Sequence, residues 1–316
     1  MDLKSKIILI AGPTASGKSK FAVQLAKKAN GEIINADSMQ VYKELKILTA
    51  RPKKIDQKKI KHHLYGIQSV KKDFSSGKWL KHANKKIKEI RKRNKIPIFV
   101  GGTGLYFKSL TDGLSKIPNI PINFRNKIRN LQKNIGQEKF YNKLIKLDPK
   151  IKNYAKSNDV QRSIRAYEVK KYTKLSILDW FEKTKKKFNQ NEFLKIYIDF
   201  PRYLLLKRIS KRIDQMFKEK VINEVIRFNK LKVKKDKSAN KVIGITEITY
   251  YLKGLYNLEE TKEKILIKTR QYAKKQTTWS RGQMANWIKL DFFQKKKFLL
   301  KFNIYLFFIE FSLFWF

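Results

Sequence analysis

Residues 7–26 read IILIAGPTASGKSKFAVQLA: an apolar run, a glycine-rich turn and a helix-spaced apolar pattern in immediate succession. Few local sequences restrict a fold so tightly. The apolar run suits a strand buried on both faces, the kind found in parallel sheets covered by helices. The turn, Gly12, Pro13, Thr14, Ala15, Ser16, Gly17, Lys18 and Ser19, matches G-x-x-x-x-G-K-[ST]. Its glycines let backbone N–H groups converge on phosphate oxygens at a helix N-terminus, and Lys18 adds a point charge. Ser19 is placed to ligate Mg²⁺ beside the phosphate. An ordinary glycine-rich turn is the competing reading, and the flanking strand and helix patterns count against it. The motif predicts polyphosphate binding and leaves the reaction open.

Further apolar runs at 32–37, 96–102 and 194–200 alternate with longer basic helical patterns. That alternation predicts an α/β fold, a P-loop-type doubly wound parallel sheet. Between 113 and 192 no strand pattern appears, and helical segments are broken by Pro118, Pro121, Gly136 and Pro149. The expected organisation is a discontinuous catalytic core, 1–112 with 193–292, an inserted all-helical domain at 113–192, and a hydrophobic tail at 293–316 with no assigned role. The stretch 298–316 has the length of a membrane helix, but Lys301, Asn303 and Glu310 interrupt it. A mid-membrane charge costs about 2.5–3.5 kcal/mol on insertion scales, so a packed or poorly ordered tail is the expectation.

The 74 Lys and Arg against 26 Asp and Glu leave a formal charge of +48 in 316 residues. Such an excess favours a polyanionic partner, RNA or DNA, although AT-rich coding also yields lysine-rich chains. With no cysteine, disulfides, zinc–thiolate sites and iron–sulfur clusters are excluded. His62 and His63 are adjacent and diverge, so a metal site built from protein side chains is not expected. Only five apolar residues precede the loop, too few for a signal-peptide core, and a cytoplasmic location is expected.

In a parallel sheet, ligands bind beyond the carboxyl ends of the strands. Those ends carry Asp37, Gly101-Gly102-Thr103 and Asp199, which with Lys18 would line one rim. Asp199, followed by Phe-Pro, reads more simply as a turn residue. Asp37, inside ADSMQVY, reads as functional. The two glycines permit close backbone approach to a planar ligand, and the Thr103 hydroxyl suits an adenine edge. Arg208 and Arg212 lie one helical turn apart, placed equally well to hold a diphosphate or to form a solvated basic face.

The strings GPTASGKS (12–19), ADSMQVYK (36–43), HHLYGI (62–67), GGTGLYF (101–107), NDVQRSIRAYEV (158–169), VIGITEI (242–248) and TRQYAKKQTTWSRG (269–282) occur in this order. In them the chain resembles the tRNA dimethylallyltransferases over roughly residues 5–290. It departs from many relatives at Gly66, where Asp is frequent, and at Val160, where Pro is common. The resemblance implies that the loop holds the diphosphate of dimethylallyl diphosphate with Mg²⁺, and that the prenyl group passes to N6 of the adenosine 3′ to the tRNA anticodon. Asp37 is then the candidate general base and Thr103 positions the adenine. Asp37, Ser38, Met39, Gln40, Thr103, Arg125, Gln161, Arg162, Ser163, Ile164 and Arg165 are the implied tRNA contacts. The insertion would reach toward the anticodon stem-loop. No stable protein partner is implied, and a monomer suffices for the chemistry.

Two rivals share parts of this pattern. An ATP-binding P-loop kinase of a nucleoside or small molecule would use the same loop and sheet, with the basic 202–217 helix as its lid. It leaves GGTGLYF and TRQYAKKQ unexplained. A non-enzymatic RNA-binding protein would not need Lys18, Ser19 and Asp37 together.

Overall fold

The computed structural model describes residues 5–302. Its six strands are β1 (Ile7–Ala11), β2 (Gly31–Asn35), β3 (His62–His63), β4 (Ile96–Gly101), β5 (Phe193–Ile198) and β6 (Ile288–Leu290). They form one sheet in the order β3-β2-β4-β1-β5-β6, and every pairing is parallel. β1, β2 and β4 are buried at every position, as strands covered on both faces must be. β3 and β6 went unread in the sequence because they are edge strands of two and three residues with no apolar run.

In chain order the helices are α1 (Lys18–Lys28), α2 (Lys54–Lys59), α3 (Ser76–Arg91) and α4 (Gly104–Thr111), then α5 (Ile122–Ile135), α6 (Gln137–Leu147), α7 (Val160–Thr173) and α8 (Ile177–Glu182). After β5 come α9 (Arg202–Lys218), α10 (Val221–Lys230), α11 (Ile245–Leu252), α12 (Leu258–Gln283) and, after β6, α13 (Gln294–Leu300). Among the described residues, compact packing gives one unit of 5–109 with 188–302 and a second of 110–187.

In the first unit, helical spacing selects the buried faces. Trp79, Ala83, Ile87 and Ile90 are the buried side of α3, and Leu205, Ile209, Ile213 and Met216 that of α9. Ser75 caps α3 by accepting from the Lys78 N–H, which satisfies one of the orphan donors of the first turn. The 26-residue α12 opens with an Asn257–Glu260 capping box. At the end of the described chain, Phe298, Leu299 and Phe302 join the core formed by Phe21, Ala22 and Leu25 of α1. This stretch of the expected tail is packed; 303–316 lies outside the described residues. Among the described residues no helix is long and apolar enough to cross a membrane.

The second unit has helices and no strand, with Phe140, Leu144, Ile151, Ala166, Tyr167 and Ile177 at its centre. Phe140 and Tyr167 meet at 5.1 Å between ring centroids.

Candidate functional site

The turn after β1 bends through two left-handed residues, Ala15 at φ 63° and Gly17 at φ 84°. For alanine that conformation is strained by about 1 kcal/mol or more, so surrounding contacts must hold it. They come from distant helices. The Gln276 amide of α12 accepts from the Thr14 N–H at 2.8 Å and donates to the Gly102 carbonyl at 3.0 Å. Arg212 of α9 donates to the Thr14 hydroxyl at 2.7 Å and to the Leu48 carbonyl at 3.3 Å. Three backbone N–H groups, of Lys46, Ile47 and Leu48, donate to the buried Glu224 carboxylate, which fixes the segment that presents Leu48.

These contacts frame a cavity of about 390 Å³. Its polar lining comprises Thr14, Gly17, Lys18, Ser19, Asp37, Arg208 and Arg212. Its apolar lining includes Leu48, Ile209, Ile213, Met216, Val242 and Ile265. Burial lowers the Lys18 ammonium to about 8, with Asp37 opposing and Arg212 reinforcing the shift. Burial likewise lowers Arg212 against the pull of Asp37. Two cations desolvated together favour an anion as occupant. Burial and the Asp37 charge both raise the phenols of Tyr65 and Tyr272, keeping them neutral hydrogen-bonding groups.

Asp37 is held by its neighbours on the strand end. Its backbone is gripped by the Asn35 amide, and its Oδ1 accepts from the Met39 N–H at 2.9 Å. The Thr103 hydroxyl accepts from the Ser38 N–H at 2.9 Å and donates to the Ser38 hydroxyl at 3.3 Å. Ser38 and Thr103 line a second cavity of about 310 Å³ together with Tyr197, Gln276 and Trp279. Met39 and Tyr272 line both cavities, so the two meet across these side chains.

Several expectations change. Gly101 and Gly102 each line a cavity and are also required by packing: a Cβ on Gly101 would stand 2.0 Å from the Ala36 carbonyl, and one on Gly102 would stand 2.1 Å from the Gln276 amide. Asp199 is exposed and lines neither cavity; its N–H donates to the Leu290 carbonyl and extends the pairing toward β6. Arg208 and Arg212 form no solvated face, since both line the larger cavity. At Gly66 a Cβ would meet the Arg51 guanidinium at 1.9 Å, so Asp there would displace a group that donates to the Tyr42 carbonyl. Gln276 and Tyr272 were missed as site residues. Both lie in the TRQYAKKQ string, but nothing local shows which face of so long a helix turns toward the loop. Gln40, in the same segment as Asp37, lines the larger cavity and donates to the Thr49 carbonyl.

The remaining expected contacts lie in the second unit. Gln161 and Arg162 are exposed, whereas Ser163 is buried on the Asp159 carbonyl and Ile164 packs in the helical core. Arg125, Arg129 and Arg165 surround the Glu168 carboxylate, itself 1% exposed, at 3.4, 3.9 and 3.5 Å. One carboxylate against three guanidinium groups leaves a net positive cluster. Among the described residues no group of three or more His, Cys, Asp or Glu side chains is placed to hold a metal ion.

The sequence matches the family model described as IPP transferase over residues 40–283. It is 61% identical to a tRNA dimethylallyltransferase of Pelagibacter ubique, over 92% of this chain and 93% of that protein. With the tRNA dimethylallyltransferase of Rickettsia massiliae the identity is 44%, over 93% and 82%. Among solved structures it resembles the full-length tRNA isopentenylpyrophosphate transferase of Bacillus halodurans, with TM-score 0.67, 31% identity, and 96% and 95% of the two chains covered. It also resembles a eukaryotic dimethylallyltransferase acting on tRNA, with TM-score 0.78, 29% identity, and 90% and 73% covered.

Proposed function

The chain belongs to the IPP transferase family, and on that premise we propose that it transfers the dimethylallyl group of dimethylallyl diphosphate to N6 of the adenosine 3′ to the anticodon in tRNA. The observation that carries this reading is a single cavity joining the phosphate loop, an apolar wall and Asp37. A kinase has no need of the wall formed by Ile209, Ile213, Met216 and Val242 beside its phosphates. A five-carbon chain fits against it.

Backbone N–H groups of the loop, Lys18 and Arg212 bind the diphosphate and stabilise the charge that grows on it as the allylic C–O bond breaks. Ser19 offers a hard hydroxyl oxygen in the cavity lining and would hold Mg²⁺ together with substrate oxygens. When bound, that ion would neutralise leaving-group charge. The adenine enters by the second cavity, where Thr103 and Ser38 hold its approach. Asp37 takes the N6 proton as the new C–N bond forms, and diphosphate departs. The base must leave the anticodon-loop stack, at a cost of a few kcal/mol. Gln161, Arg162, Arg165 and Arg125 contact the RNA through their exposed groups, while Ser163 and Ile164 act by fixing the helix that carries them. On this reading the reaction is cytoplasmic. One copy of the chain supplies every group invoked.

The test is incubation with unmodified tRNA, labelled dimethylallyl diphosphate and Mg²⁺, without ATP. Label on the tRNA is the expected result. No label, with ADP formed in a parallel reaction given ATP and a small acceptor, would overturn the reading in favour of a kinase.

A further inference from the structure

The helix α13 lies beyond the matched family region, and it brings a cation to the back of the phosphate loop. Its position is set locally: Asp291 caps its start by accepting from the Phe293 and Gln294 N–H groups at 2.8 and 2.7 Å. Phe298 then seats it on Phe21 of α1, the helix that follows the loop, at 6.1 Å between ring centroids. So placed, Lys295 donates from Nζ to the Ser16 carbonyl at 3.4 Å. Its ammonium also lies 5.1 and 5.3 Å from the rings of Phe200 and Phe292. Arg208, which lines the cavity, stacks on the same two rings at 4.2 and 5.7 Å.

We propose that Lys295 is a positioning residue for the diphosphate. It bonds the Ser16 carbonyl from outside the loop and thereby aims the Gly17 N–H into the cavity. A trans peptide points its C=O and N–H in opposite directions, and no described peptide is cis. A carbonyl turned toward α13 therefore sends the Gly17 N–H the other way, and Gly17 lines the cavity. A cation on the carbonyl oxygen also polarises the peptide, strengthening its N–H as a donor. Two cations on one aromatic pair repel, and each keeps its place more readily once an anion fills the cavity beside Arg208. In agreement, burial and then Arg208 lower the Lys295 ammonium, with Asp291 opposing.

The inference rests on the diphosphate reading above, so the test measures diphosphate directly. Inorganic pyrophosphate is titrated by calorimetry into the full-length protein and into Lys295→Met and Lys295→Gln, and KM for tRNA is measured in parallel. Loss of one charge-assisted donor predicts about tenfold weaker pyrophosphate binding in Lys295→Met. Lys295→Gln, which keeps an N–H for the Ser16 carbonyl, recovers part of the loss. KM for tRNA stays unchanged, which a general loosening of the fold would not allow. Pyrophosphate binding by Lys295→Met and Lys295→Gln as tight as that of the unaltered protein overturns the inference alone. No pyrophosphate binding by the unaltered protein overturns the diphosphate reading and this inference with it.

Discussion

Strand β2 carries a different charge cluster at each end. At its amino end Glu32, only 2% exposed, pairs with His63 at 2.6 Å, Arg93 at 2.7 Å and Lys95 at 3.9 Å. Just beyond its carboxyl end, Asp37 shares a cavity with Lys18 and Arg212, whose charged forms burial disfavours. The first cluster is closed, with its carboxylate directly paired. The second is left open on the cavity side. Desolvated charge without full compensation is unfavourable in the free protein, and the same desolvation strengthens its grip on an incoming anion. The fold is held by the first kind of cluster and does its work through the second.

The contrast breaks most readily at Asp37. Asp37→Asn keeps the shape but removes the base, and turnover is expected to fall about a thousandfold while tRNA affinity measured by filter binding holds. Near-normal turnover would remove Asp37 from the proposed role.

Glu32→Gln should act in the opposite way. Breaking a buried pair costs about 3 kcal/mol, read as a lower denaturant midpoint, with KM for both substrates unchanged. A shift in either KM would mean that the two ends are not independent. Burial pushes the Glu32 carboxyl up, but hydrogen bonds from Arg93 and His63 outweigh it and hold the group below its ordinary 4.5. Burial lowers His63 below 6.5 despite its bond to Glu32. Both groups bind fewer protons folded than unfolded, so their stabilisation is complete above those ordinary values and is lost as pH falls through the folded ones. Unfolding midpoints at pH 7 and pH 5 should show the His63 part of this slope, and those at pH 5 and pH 3 the Glu32 part; a midpoint indifferent to acid over both intervals would contradict it.

Lys18 sharpens the comparison from the other side. Lys18→Ala is expected to weaken pyrophosphate binding about a hundredfold without lowering the unfolding midpoint, because the ammonium removed is desolvated. With Lys18 lowered to about 8, the charged form of the free protein should dwindle between pH 7 and pH 9. Pyrophosphate affinity should then drop about tenfold across that interval, and a flat profile would count against the cradle.

Legibility in the sequence followed the range of the interactions. The loop, β1, α1 and Asp37 were readable because strand, turn and helix signals lie within a few residues of each other. The Thr14 contacts with Arg212 and Gln276 span 198 and 262 residues, and no local pattern encodes them. The glycines before Thr103 show the same limit. Their need for minimal bulk was visible, but the packing against Ala36 and Gln276 that also demands it was not. Edge strands β3 and β6 escaped because pairing, not composition, defines them.

By itself the sequence settled the kind of chemistry on offer: a phosphate loop at the end of a buried strand, a carboxylate at the end of the next, and an overwhelming positive charge. These depend on short-range backbone geometry and on counting. Only the tertiary structure decided which distant side chains complete the site. Burial and direction decide whether Arg212, Gln276, Tyr272 and Lys295 face the loop or the solvent, and both arise from packing between helices far apart in the chain.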